Sequence, residues 1–304
     1  MMPISYLYES LTSRGFKETV KRILTLIKRY GLSKKRMFNN LELLIDILHE
    51  YDAKATLPIT ATTLLHNPEI LEVLDKRIEL AMHGYKHIDH TQLSYNELLR
   101  QLNNGLKIFK KYKVKVYGFR APYLKVNDTV TKVISCIGLK YDSSYPIFFD
   151  VLPNDLRNAK CLKKLITLYN NVYNDGIKYN APTVFKLRNG IIEIPVTLPD
   201  DEILVDRLSL NPTDVAKYWV RILDVISKFE RGVFVLQIHP ERICFLECSL
   251  RKVLEEAISK GFDLVNLKDV CIKYEKGKMN ENKYYFAITG DIDIMGILDI
   301  LRVR

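Results

Sequence analysis

The chain has 304 residues, 47% of them hydrophobic and 27% charged, and a formal net charge of +10. That balance belongs to a globular chain with a core to bury and excludes a disordered or fibrous protein. No apolar run reaches the roughly 18–20 residues needed to cross a bilayer, and Glu9 interrupts the opening stretch before any apolar segment of useful length, so neither a membrane span nor a signal peptide is expected.

The surplus of positive charge lies early. Between Arg14 and Arg36 stand nine basic residues and one acid, Glu18. Phe16, Val20, Ile23, Leu24 and Ile27 recur there at helical spacing, with Lys17, Lys21, Arg22 and Lys28 between them. The pattern predicts an amphipathic helix with a basic outer face. A solvated face is its simplest use; peripheral contact with an anionic membrane surface or a lipid-phosphate carrier is the next, and nucleic acid the least favoured. The five cysteines, Cys136, Cys161, Cys244, Cys248 and Cys271, are odd in number and scattered, as expected of reduced thiols in a cytoplasmic protein.

Further on, short apolar runs alternate with helical patterns. Strands are predicted at Ala55–Ile59, Ile78–Met82, Val114–Phe119, Ile191–Leu198, Val233–Ile238, Phe262–Leu267 and Tyr284–Ile288. Helices are predicted at Phe38–Tyr51, Tyr95–Tyr112, Asp214–Phe229 and Ser249–Lys260, the second opened by a capping box of Ser94 and Glu97. This alternation implies parallel strands with helices outside, an α/β fold of about seven strands. There is no repeat, low-complexity tract or linker, so residues 1–304 are read as one domain. The Asn-, Tyr- and Lys-rich, weakly periodic stretch 154–187 is read as a loop insertion.

Five of the predicted strands are followed by ionisable residues: His83 to His87, Arg120, Asp200 to Glu202, His239 to Arg242, and Asp291 with Asp293. In a parallel barrel all C-terminal strand ends share one face, where active sites are assembled from loops. The five segments are therefore expected to converge. His83 and His87 are candidate metal ligands, since imidazole serves zinc and related ions and a short loop segment can bring both rings to one ion. His90 is expected behind them or at the surface, and His49 and His66 are assigned to structure. Asp291 and Asp293 offer two carboxylates, one to complete the ligand set and one to act as a base beside a water whose pKa the metal lowers. Arg120 is placed to hold that base ionised, and His239, before Pro240, to protonate a leaving amine.

Taken together these segments resemble the polysaccharide deacetylase family, the NodB-homology or carbohydrate esterase four group. YDAKATLPITATTL resembles the family's helix-then-strand segment, ELAMHGYKHIDH its metal motif, YGFRAPY its R-x-P-Y motif and VLQIHPERI its late histidine-proline motif. The resemblance spans about Phe38 to Leu267. The family opens, however, with a strand ending in an acidic motif, and nothing of that kind precedes ATLPI. FAITGDID, at the other end, is similar to it in the D-x-D form seen in formamido-sugar lipid-carrier deformylases. The resemblance thus implies a distorted (β/α) barrel, related to the TIM barrel and circularly permuted, whose first family strand is Tyr284–Ile288, in the same chain or swapped from a second one. It makes His83, His87 and Asp293 the metal ligands, Asp291 the base, Arg120 its positioner, His239 the acid and the Tyr123 backbone N–H an oxyanion donor. The implied activity is removal of an N-acetyl or N-formyl group from an amino sugar or glycan, free or carried on a lipid or nucleotide. The cofactor is a divalent ion, zinc first and cobalt, nickel, manganese or iron next. The family's tryptophan-marked motif has no clear counterpart: Trp219 is read as core, and Asp142, Asp200 and Asp201 are given no settled role. An amide hydrolase acting on a non-sugar substrate, an inactive glycan-binding or scaffold paralogue and a nucleic-acid binder are the rival readings.

Overall fold

A computed structural model of the chain describes residues 27, 29–149, 151, 183–279 and 283–297. Most of the basic helix expected over 14–36, Cys161, and residues 154–182 of the expected insertion lie outside them. The strands are β1 (Ala55–Ile59), β2 (Ile78–Met82), β3 (Gly118–Phe119), β4 (Tyr141–Asp142), β5 (Pro146–Phe148), β6 (Phe185–Lys186), β7 (Ile192–Glu193), β8 (Val196–Leu198), β9 (Gly232–Gln237), β10 (Phe262–Leu264) and β11 (Tyr284–Thr289). The helices used below are α1 (Lys35–Glu50), α2 (Ala61–His66), α3 (Ile70–Val73), α4 (Tyr95–Lys111), α5 (Asp128–Cys136), α6 (Pro212–Ile226), α7 (Ile243–Ser259) and α8 (Leu267–Glu275).

β4 and β5 are halves of one extended segment, and so are β7 and β8. The two segments pair in parallel along their length, through N–H groups of Ile192, Ile194, Val196 and Phe149. The single predicted strand Ile191–Leu198 is interrupted because Pro195 has no N–H to give the ladder. Counting each pair of halves once, the parallel pairings run β1–β2–β3–β4/β5–β7/β8–β9–β11 and return to β1. The result is a distorted barrel of parallel strands with helices around it. Among the described residues only β6 pairs antiparallel, and β10 lies along the first half of β11.

Period-two alternation explains how the barrel is filled. Ala81, Tyr141, Val233, Val235, Tyr285 and Ala287 point inward and form one apolar cluster. Their neighbours Met82, Phe119, Phe234, Leu236, Phe286 and Ile288 point outward into a second, larger cluster shared with the helices. Burying both faces suits strands that read as continuous apolar runs. α1 shows the matching helical side, burying Met37, Leu41, Leu44, Ile47 and Leu48 at three- and four-residue spacing. Gly118 is required here: a Cβ would sit 1.9 Å from the Tyr141 ring that fills the barrel interior. Trp219 is fully buried core.

Three further local expectations need correction. The strand predicted at Val114–Phe119 shrinks to Gly118–Phe119, because Val114 turns back to close α4 on the carbonyl of Phe109. The helix predicted from Ser249 already begins at Ile243, directly after the short turn Pro240–Arg242. The strand predicted at Phe262–Leu267 stops at Leu264, since Asn266 caps the start of α8 through the N–H of Asp269. The β4/β5 segment and α5 were not anticipated, because KYDSSYPIF alternates too irregularly to show as a strand.

Candidate active site and metal centre

The same alternation that fills the barrel builds the site. Stepping by two along the inward positions leads from Ala81 to His83, from Gly118 to Arg120, from Tyr141 to Ser143, from Val235 to Gln237, and from Ala287 through Thr289 to Asp291 and Asp293. At the C-terminal ends of the strands these inward residues become polar, and Arg120, Ser143, Gln237, Thr289 and Asp291 are joined by hydrogen bonds.

Arg120 is the hub and is wholly buried. Its guanidinium donates to Ser143 O (2.8 Å), Ser143 Oγ (2.9 Å), Thr289 Oγ1 (2.8 Å) and Asp291 Oδ1 (3.2 Å). Four bonds from a group with five N–H donors leave little freedom of orientation. Its carbonyl accepts the Nδ1–H of His83 at 2.8 Å, which fixes the tautomer and turns the bare Nε2 towards the site. One residue therefore aims both an imidazole and a carboxylate.

His83 Nε2 lies 3.3 Å from Asp293 Oδ1 and 3.8 Å from Asp291 Oδ2, and His87 Nε2 lies 3.4 Å from Asp293 Oδ2. Candidate ligand atoms of His83, His87 and Asp293 all fall within 4.8 Å of one another. His83 Nε2 and Asp293 Oδ1 are buried with no hydrogen-bond partner among the described residues. Burial holds both imidazoles below their ordinary range, His87 at about 4, so both present neutral nitrogen lone pairs. Burial also pushes the Asp293 carboxyl up to about 6, against the pull of His83. Two neutral imidazoles and a carboxylate without a cationic partner of its own are the donor set of a divalent ion such as zinc, with positions left open. The residues fit the cofactor that the sequence implies.

Asp291 behaves differently. Burial disfavours its charge, yet His83, Arg120 and His239 together hold it below the usual carboxylate range. Gln237 donates to its second oxygen at 3.1 Å. It stays ionised at neutral pH.

Across the site His239 pairs with Asp201, which the sequence left without a settled role. His239 Nδ1 lies 2.7 Å from Asp201 Oδ1, and Asp201 Oδ2 also accepts the His239 backbone N–H at 3.1 Å. Arg242 approaches the same carboxylate at 3.1 Å. Burial opposes the imidazolium, but Asp201 outweighs it and lifts His239 to about 10. Asp200, next door, is pushed up to about 7 by burial and by Asp201. Asp200, Asp201 and His239 also lie close enough to offer three ligand atoms, but Arg242 and the imidazolium already neutralise Asp201. The signal in the sequence was the acidic pair directly after a strand; nothing local said which histidine it would meet.

Tyr123 sits in the turn after Arg120. It and Leu124 both adopt left-handed backbone, φ 60° and 55°, uncommon for residues with a side chain. The Tyr123 ring packs edge-on against His87, with centroids 4.4 Å apart, and is 57% exposed at the rim. His90 is buried beneath the His83–His87 loop, stacked on Phe119. It explains Gly84, where φ is +87° and a Cβ would meet the His90 ring at 2.5 Å. The chain segment before α1 also reaches the site: Arg29 Nε donates to Glu241 at 2.6 Å and its NH1 lies 3.4 Å from Glu202. This contact was not anticipated. Among the described residues, no helix is long and apolar enough to cross a membrane.

This barrel, with its polar cluster above the strand ends, is the NodB-type fold of the polysaccharide deacetylases. The family model described as polysaccharide deacetylase matches residues 37–141, the part of the barrel from α1 to the start of β4. Among solved structures, a protein assigned as a polysaccharide deacetylase from Mycobacterium smegmatis superposes with a TM-score of 0.60 at 18% identity, over 80% of this chain and 79% of that one. The PuuE allantoinase superposes with a TM-score of 0.61 at 12% identity, over 79% and 74%. These likenesses concern the fold. No curated protein sequence matches the chain.

Proposed function

We propose that the protein hydrolyses an N-acyl group, acetyl or formyl, on an amino sugar or glycan, using a divalent ion held by His83, His87 and Asp293. The observation that carries this reading is the Asp291–Asp293 pair: one carboxylate faces two neutral imidazoles and the other is kept ionised by Arg120. Such an ion would lower the pKa of a water and polarise the acyl carbonyl. The protein's own groups supply the rest. Asp291 takes a proton from the attacking water. The Tyr123 backbone N–H donates to the oxyanion that develops on the carbonyl. His239, charged and steadied by Asp201, gives its proton to the departing amine. Arg120 keeps Asp291 aimed and ionised throughout.

The order of the motifs is read as a circular permutation of the family: β11, with its D-x-D end, stands for the strand that opens the family's sequence. In support, β11 lies between β9 and β1 within this one chain, with Ala55 opposite Ile288.

The test is release of acetate or formate from N-acetyl and N-formyl amino sugars, free and carrier-linked, by protein loaded with zinc, cobalt or manganese. Metal bound at one ion per chain, with no release from any sugar, would remove the sugar from this reading. A second reading then applies, hydrolysis of a non-sugar amide, favoured by the equal superposition on an allantoinase. A chain that binds no ion would instead be a scaffold or glycan-binding paralogue.

A further inference from the structure

Asp142 and Glu193 stand directly opposite each other on the paired strands β4 and β7, and both are completely buried. Tyr141 and Ile192 point into the barrel, so these two carboxyls share the outer face. One oxygen of each is accounted for. Asp142 Oδ1 accepts the hydroxyl of Ser144, and Glu193 Oε1 accepts the backbone N–H groups of Ser144 and Tyr145 at 3.2 and 3.1 Å. Asp142 Oδ2 and Glu193 Oε2 are buried with no hydrogen-bond donor among the described residues, and the two carboxyls face each other across the strand pairing, where burial and the charge of Asp142 push Glu193 up. Two carboxylates in contact in a low-dielectric interior cannot both be ionised, and a hydrogen bond between them needs a proton. The charged and titratable groups that act on the pair are few. Arg120 acts on Asp142, but its bonds go to Ser143, Thr289 and Asp291. The Tyr145 hydroxyl, itself raised to about 12, feels both carboxyls and Asp128.

The pair sits behind the site. Ser144, bound to both carboxyls, accepts the backbone N–H of Ala121 on its Oγ at 2.8 Å. Ser143 holds Arg120 through its carbonyl and hydroxyl. The bend Ser143–Tyr145 therefore connects the carboxyl pair to Arg120, which aims Asp291, and to the turn that presents Tyr123. We propose that Asp142 and Glu193 share a single proton and act as positioning residues, locking this bend so that Arg120 and the Ala121–Tyr123 turn stay in register. The link to turnover rests on the reading under Proposed function; the shared proton and the lock do not.

An amide at either position supplies an N–H where the shared proton stood. Glu193→Gln should therefore keep the lock, and Glu193→Ala should lose it. Infrared difference spectra of wild type against Glu193→Gln at neutral pH should show one protonated carboxyl band lost with the substitution. Hydrogen exchange should show the amides of Arg120 and Ala121 opening about tenfold faster or more in Glu193→Ala, and near the wild-type rate in Glu193→Gln. If Glu193→Ala does not fold, the wild type carried to alkaline pH, where the shared proton leaves, should show the same opening after correction for intrinsic exchange, and Glu193→Gln should not. With an N-acyl sugar the lock should show as a fall in kcat with bound metal retained. No protonated carboxyl in the difference spectrum overturns the shared proton. Unchanged exchange at Arg120 and Ala121 overturns the positioning role. Both readouts decide these points even if no sugar is turned over.

Discussion

Ile297 donates its backbone N–H to the carbonyl of Gly31 at 3.2 Å, so the segment that follows β11 runs directly to the segment that leads into α1. Gly296 lies against the same place: a Cβ on it would sit 3.0 Å from the carbonyl carbon of Ser33. The segment carrying Asp291 and Asp293 thus ends beside the residues that lead into α1. In the order strand, helix, strand, the path from β11 through α1 to β1 is continuous in space although the chain does not follow it.

A rearranged chain follows from that contact. Joining residues 283–297 to Arg29, so that its bond to Glu241 is kept, through a linker of about two to six residues, and ending the chain near Met279, should give a protein with the native circular dichroism, melting cooperativity and ion binding. Loss of ion binding in a rearranged chain that still folds would refute the permutation.

Ion binding has a direct readout. Metal-free wild type should gain about 2.7 kcal/mol of stability at ~100 times the dissociation constant of its ion, seen as a raised Tm on adding zinc, cobalt or manganese. His83→Ala and Asp293→Ala should show little of that gain and carry little metal after dialysis. Full occupancy in both would take the ion away from this site.

Arg120 and Asp291 form a buried pair, and removing one partner strands the other. Arg120→Met should destabilise the fold by ~3–5 kcal/mol, and adding Asp291→Asn should recover part of that loss in denaturant titrations. Asp291→Asn alone should retain metal and lose ~10²–10⁴-fold in turnover. If the two losses simply add, the pair is not coupled as drawn.

The pH dependence is set by His239. Its folded pKa, about 10, lies above the ordinary 6.5, so the stability from its pairing with Asp201 is fully present below about 6.5 and is lost as pH rises through about 10. In Asp201→Asn burial acts on the imidazole without the opposing carboxylate. The alkaline limb of the rate profile should then move down towards neutrality, with turnover at pH 7 reduced by ~10²-fold. An unmoved limb would assign it to another group.

Much of the site was legible in the sequence for a physical reason. In a parallel barrel each strand has only two faces, and the C-terminal ends share one rim. An apolar run ending in His83, Arg120, His239 or Asp291 therefore states where those side chains go. The spacing of His83 and His87, and of Asp291 and Asp293, survives folding because it is local. The interrupted β4/β5 segment was not legible, because KYDSSYPIF carries Asp142, Ser143 and Ser144 where a buried strand would show apolar residues. Their burial is stabilised by Arg120 and Ala121 from one place in the chain and by Glu193 from another.

What the tertiary structure alone decided are three side-chain pairings: Asp201 with His239, Arg29 with Glu241, and Asp142 with Glu193. Each is a choice among several charged groups on the same rim or strand face, and side-chain periodicity says only that they share it. Which carboxylate meets which cation depends on strand order and register, and those are set by closure of the whole sheet, to which no single segment holds the answer.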